Sequence, residues 1–444
     1  MPLSSFKPFA DRVLPQGAFR FFSSSHGSAF KRNFVSVARA NVLALVLPIV
    51  ALPLLSRLFT PDNFSVLAVF SAVVAVLLSF ATWRFDWLLP NAKSMFVAAN
   101  VFAAGALILL GFCFVLTLAL FVLPEAVWNR RPLADLDNMV WLLPFALLSG
   151  GARQLLGGWY VRSGDLRLVG RATIAQSTSN VVFSIGAGLA SLGGFGLISS
   201  FIASMWTGVL VLAANIALSL RDSLRQVSAK TVALAAGRYH SSAAWSTLVS
   251  VASAASLNAP VVALAFFYAP QQVGWYALVN RMVAAPVGTM SSALGQSFWA
   301  RAAEFARDRD FPGLRASYVK MTLRLALASS AVCAVCLAAP LFVGPILGAD
   351  EWTGAGYVML AMAPFFVGSL VFSPTNHLVV LDRQELQLLA DLVRLTLVLA
   401  GIGLAAYFEL GFTAAVFLAS LGSFCGHIIL FLIHLKIHAS SRRR

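Results

Sequence analysis

Residues 59–70 read Phe-Thr-Pro-Asp-Asn-Phe-Ser-Val-Leu-Ala-Val-Phe, and one apolar stretch later residues 83–90 read Trp-Arg-Phe-Asp-Trp-Leu-Leu-Pro. The first segment opens as a turn. Pro61 presets φ, Asp62 and Asn63 can bond their own backbone, and an apolar helix follows at once. A related turn, Tyr268-Ala269-Pro270-Gln271-Gln272-Val273-Gly274-Trp275-Tyr276, recurs 209 positions later. Each copy follows one long apolar segment and precedes another, which predicts a chain built from two like halves.

Composition sets the solvent. Of 444 residues, 59% are hydrophobic and only 11% charged, which excludes an ordinary soluble domain. Apolar runs of roughly 20 residues, long enough to cross a bilayer core, recur along the chain, and no alternating barrel pattern replaces them. Twelve spans are expected at 38–58, 64–83, 97–123, 139–160, 171–192, 196–219, 241–268, 273–299, 320–346, 355–381, 386–408 and 412–435. The expected fold is therefore an all-α polytopic membrane protein with 12 transmembrane helices in two pseudo-twofold-related six-helix lobes. Its parts are a cytoplasmic tail (1–35), an N-lobe (36–220), a cytoplasmic linker (221–240), a C-lobe (241–435) and a basic tail (436–444). An even number of spans per half keeps the halves in the same orientation, related by an axis along the membrane normal.

Charge then orients the chain. The formal net charge is +15. With both termini cytoplasmic, 25 of the 32 Lys and Arg residues fall on the cytoplasmic side, against Arg57, Arg130 and Arg131 on the other. That asymmetry follows the positive-inside rule, so the basic residues set topology rather than bind nucleic acid. The first 35 residues contain no signal-peptide core; Phe and Lys/Arg alternate there as in a tail that touches an anionic leaflet. Prolines at 48, 53, 144, 260, 286, 364 and 374 are expected inside helices and should kink them.

Several spans carry a polar face at helical spacing. The fifth has Thr173, Gln176, Ser177, Asn180 and Ser184, and the fourth has Gly150, Arg153, Gln154 and Gly157. The eighth has Arg281, Gly288, Ser292 and Gln296, and the tenth has Ser369, Ser373, Asn376 and His377. Such faces avoid lipid, and Arg, Asn and Gln on them indicate a hydrated interior. Arg153 and Arg281 have no acidic residue three or four positions away, whereas Asp391 and Arg394 form a self-neutralising i, i+3 pair. Cys333 and Cys336 lie mid-span and read as small apolar residues. The chain has no P-loop, and Asp308-Arg309-Asp310 stands alone without a nucleotide-binding domain. No catalytic residue, metal site or cofactor is expected.

Leu58 through Ala68, Trp83-Arg84-Phe85-Asp86, Leu143-Pro144 through Gln154-Leu155, Ala285-Pro286 through Gln296 and Ser373-Pro374 together resemble the polysaccharide-transport proteins. These are the oligosaccharide-lipid flippases of the multidrug/oligosaccharidyl-lipid/polysaccharide exporter superfamily. The resemblance covers most of residues 36–435, and Ser65 stands where those proteins usually carry glycine. It implies alternating access in the cell inner membrane and an undecaprenyl-pyrophosphate-linked oligosaccharide as cargo, destined for O-antigen, capsule or exopolysaccharide. The implied partners are membrane lipids and polysaccharide polymerase and chain-length proteins, with no nucleic acid. Arg153, Gln154, Gln176, Asn180, Arg281, Gln296, Asn376 and His377 are the expected substrate-binding residues. Rival readings are a cation-coupled multidrug exporter, a membrane ligase or polymerase, and a scaffold of a synthesis complex.

Overall fold

The computed structural model describes residues 27–122, 134–216, 227–307, 310–348, 350–373 and 384–440. Long helices make up nearly all of them. In the first half these are α1 (Gly27–Leu58), α2 (Pro61–Ala81), α3 (Met95–Val122), α4 (Leu143–Ser163), α5 (Leu166–Leu189) and α6 (Gly193–Ile216). The second half begins with α7 (Ala229–Phe267). Next comes α8, which runs Pro270–Val279, passes through a π-helical turn at Asn280–Ala284 and continues over Ala285–Arg307. It is followed by α9 (Phe311–Leu347), by α10 (Thr353–Ala361, then Ala363–Val371 after a 43° bend), by α11 (Gln384–Tyr407) and by α12 (Phe412–Ser440).

The halves repeat each other's packing. α1 lies on α5 as α7 lies on α11, α3 on α4 as α9 on α10, and α5 on α6 as α11 on α12. The repeated turn is repeated in detail. Thr60 (φ −74°, ψ 162°) and Ala269 (φ −69°, ψ 147°) are extended caps, each followed by a proline in the first helical turn. Small residues let backbones approach: a Cβ on Gly401 would lie 2.8 Å from the Leu418 carbonyl oxygen, and one on Gly422 2.7 Å from that of Leu397.

Among the described residues nine helical stretches are long and apolar enough to cross a membrane, and the bent pair in α10 makes a tenth. The remaining two are α5 and α8, which have the length but too much polarity. They are the helices on which the sequence places the richest polar faces.

Several details differ from the sequence reading. Pro144 does not kink a helix; it sits in the first turn of α4, where the missing N–H costs nothing, whereas Pro364 follows directly on the 43° bend of α10, the kink expected of it. Pro48, Pro53 and Pro260 are inside helices as expected, and so are Pro340 and Pro345 of α9, which that reading passes over. α1 begins at Gly27, and α7 begins at Ala229 within the stretch read as a linker. Pro374, Asn376 and His377 lie outside the described residues, as does the side chain of Gln296.

Candidate functional site

In the N-lobe three helices assemble a held guanidinium. Arg153 on α4 donates from Nε to Gln176 Oε1 of α5 at 2.6 Å and from Nη2 to Thr173 Oγ1 at 2.9 Å. Thr173 turns its own proton onto the Val169 carbonyl, 2.9 Å away, so its lone pairs face the arginine. Gly208 of α6 supplies the room: a Cβ there would sit 2.9 Å from Arg153 Cδ and 3.0 Å from Gln176 Oε1. Both partners are neutral. They fix the orientation of the charge without cancelling it, and among the described residues no carboxylate takes the other N–H donors of Arg153.

One turn along α5 from Gln176, Asn180 Nδ2 donates to Ser204 Oγ of α6 at 3.4 Å. Gln154 is half-buried next to Arg153, and Gly157, one turn further on α4, faces open space.

The C-lobe supplies the second guanidinium. Arg281 sits in the π-helical turn of α8, where the Ala285 N–H bonds Asn280 O instead of following the α-helical ladder. Such turns expose backbone and are frequent at functional sites. Arg281 Cζ lies 6.0 Å from the ring centroid of Phe64 on α2, a cation–π contact between lobes. Among the described residues no carboxylate pairs with Arg153 or Arg281. The two arginines belong to different lobes and do not bond each other.

Three other polar or charged groups within or at the ends of the spans have partners. Arg394 Nη2 meets Asp391 Oδ1 at 3.1 Å; Ser253 of α7 donates to Asp391 and Ser256 accepts from Arg394. His427 donates Nδ1–H to the Ser423 carbonyl at 2.8 Å and stacks on Phe372. Asp86 takes a 2.7 Å hydrogen bond from Thr82 and an ion pair from Arg84 at 3.9 Å. Between α2 and α7 an apolar hollow of ≈ 490 Å³ is lined by Ala72, Val76, Ala255, Val262 and Phe266, with Asn258 its polar member.

The lobes meet firmly at the end poor in basic residues. Ser56 Oγ of α1 donates to the Leu347 carbonyl of α9 at 2.9 Å, and Trp352 Nε1 donates to the Ser56 carbonyl at 3.0 Å. Both acceptors are helix-terminal carbonyls that would otherwise lack partners. Phe64 stands edge-on to Trp352 at 5.4 Å, and Arg57 lies against Gly348, the C-cap of α9. Gly274 of α8 presses on the Pro61 carbonyl, so the two copies of the repeated turn touch.

No protein-family model and no curated protein matches the sequence. Solved structures do match its fold. An inward-facing multidrug resistance MATE family transporter of the MOP superfamily superposes with a TM-score of 0.69 at 14% identity, over 92% of this chain and 99% of that one. The lipid II flippase MurJ in an inward closed conformation gives 0.67 at 10% identity, over 92% and 90%. An outward-facing MATE transporter of the MOP superfamily gives 0.51 at 13% identity, over 94% and 97%.

The chain has the fold of these transporters and of the flippase. Twelve helices in two lobes are its architecture, and the structures that share it are transporters and flippases. Within this fold, Arg153, Gln176 and Arg281, which the sequence marks as candidates, make contacts with Gly208, Phe64 and a π-helical turn that the sequence does not mark. A glycine among many and a phenylalanine among 35 carry no local signal. Thr173 was visible as part of the polar stripe.

Proposed function

We propose that the protein is a flippase that moves an undecaprenyl-pyrophosphate-linked oligosaccharide from the cytoplasmic to the outer leaflet of the inner membrane by alternating access. The observation that carries this reading is the sign of the uncommitted charge. Two guanidiniums lie within the membrane span on neutral or aromatic partners, while the carboxylate of Asp391 is tied to Arg394. A pyrophosphate cannot cross hydrocarbon unaided, and arginine offers it charge-assisted hydrogen bonds. Gln154, Gln176, Asn180, Gln296, Asn376 and His377 are assigned to sugar hydroxyls. The apolar hollow beside α2 gives the lipid tail a place outside the polar path.

A cation-coupled drug exporter shares this fold, but its cargo would seek a free buried carboxylate, and the charge here has the opposite sign. The closed junction at the basic-poor end supports an inward-facing state, as does the higher TM-score to the inward-facing MATE structure than to the outward-facing one.

Transport of a fluorescent undecaprenyl-pyrophosphate oligosaccharide in liposomes tests the reading. The wild type is expected to expose the headgroup to an added glycan-modifying enzyme, and Arg153→Ala and Arg281→Ala to slow this at least tenfold each. If both variants transport normally, the site assignment is wrong. If the wild type moves lipophilic cations instead, the cargo is wrong.

A further inference from the structure

Phe64 touches both things that alternating access must connect. One face of its ring receives the Arg281 guanidinium at 6.0 Å, and its edge meets Trp352 at 5.4 Å. Trp352 in turn holds the carbonyl of Ser56, whose hydroxyl holds the end of α9. Phe64 is 1% exposed, and Phe59 also stands edge-on to its ring at 6.4 Å, so the ring is held from several sides and shielded from solvent. Arg281 has a free choice, because it lies on a π-helical turn and is not locked to a carboxylate among the described residues.

We propose that Phe64 is a positioning residue that holds Arg281 in the unloaded state, and that an anionic diphosphate draws Arg281 off the ring and so loosens the junction at the basic-poor end. Charge-assisted hydrogen bonds to a diphosphate outcompete the ring's quadrupole for the guanidinium. Losing Arg281 frees Phe64 from α8, and the π-helical turn provides the hinge on which the segment Pro270–Val279 swings from Pro61. Because the ligand is paired with the more open state, binding and opening are linked in both directions. The inference rests on the anionic-headgroup reading above, yet its test is separable from that reading.

The experiment is a distance measurement on the full chain in nanodiscs. Cys113, Cys333, Cys336 and Cys425 are replaced, and spin labels are placed at Leu192→Cys and Phe408→Cys. These positions are exposed and lie in equivalent turns of the two lobes, at the basic-poor end. Added farnesyl diphosphate should lengthen the wild-type distance, and farnesol should not. Phe64→Leu should raise the open-to-closed ratio without ligand by roughly 2- to 30-fold, the range that a lost cation–π contact implies. Phe64→Tyr, which keeps the ring, should behave as wild type. Should Phe64→Leu not fold, Arg281→Met gives the same ligand-free readout and should also abolish the response to farnesyl diphosphate. A Phe64→Leu distance identical to wild type, or a full diphosphate response in Arg281→Met, overturns the proposal. Loss of oligosaccharide transport with these distances as expected would instead overturn only the cargo.

Discussion

A guanidinium placed in a bilayer needs water, a carboxylate or a set of neutral acceptors, and this chain uses the last two side by side. Arg394 takes the carboxylate of Asp391, three residues away on the same helix, and the serines of α7 complete the pair. Arg153 takes Gln176 and Thr173 from the neighbouring helix and keeps its charge available. The first arrangement is structural and predicts a stability effect. Asp391→Asn leaves Arg394 with an uncompensated buried charge and should cost about 3–5 kcal/mol, seen as a lower thermal midpoint in detergent. The double variant Asp391→Asn/Arg394→Gln should recover most of that loss. A double variant as unstable as the single one would show that the pair is not what holds α7 to α11.

Elements, rather than residues, make the closure between lobes. The two copies of the proline turn start α2 and α8 with the same cap geometry, and the helices meet near their first turns. Glycine is kept in the copy whose backbone presses on Pro61, while the other copy carries the buried Ser65. Any side chain at 274 must therefore part the two helices. Gly274→Val should leave the lobes folded and should shift the labelled pair at 192 and 408 toward longer distances with no ligand present. An unchanged distance would place the contact outside the closure. Polarity is also an element-scale property here. α5 and α8 fall short of the apolarity of the other spans because their inner faces carry Thr173, Gln176, Asn180 and Arg281.

At the scale of the whole molecule, two bundles meet at one end, and the excess of basic residues lies at the other. With the basic end cytoplasmic, a cysteine at Leu192 or Phe408 should react with a membrane-impermeant maleimide added to spheroplasts with intact inner membranes. One at Ser163, at the end of α4, should react only after the membrane is opened. The reverse pattern would invert the chain and with it the proposed direction of transport.

Legible along the chain are the helical membrane fold, the duplicated turn, and both arginines as charges without a local partner. So is the Asp391–Arg394 pair. Each of these is written within a window of about 20 residues, through apolar length, turn chemistry or i, i+3 spacing. It takes the packed helices to show that Pro144 begins α4, that Gly208 makes room for the bond of Arg153 to Gln176, and that Arg281 rests on Phe64. Those contacts join residues far apart in the chain, and their existence depends on how two lobes and several tilted helices come together. No periodicity or spacing along one helix encodes which side chain of another will face it.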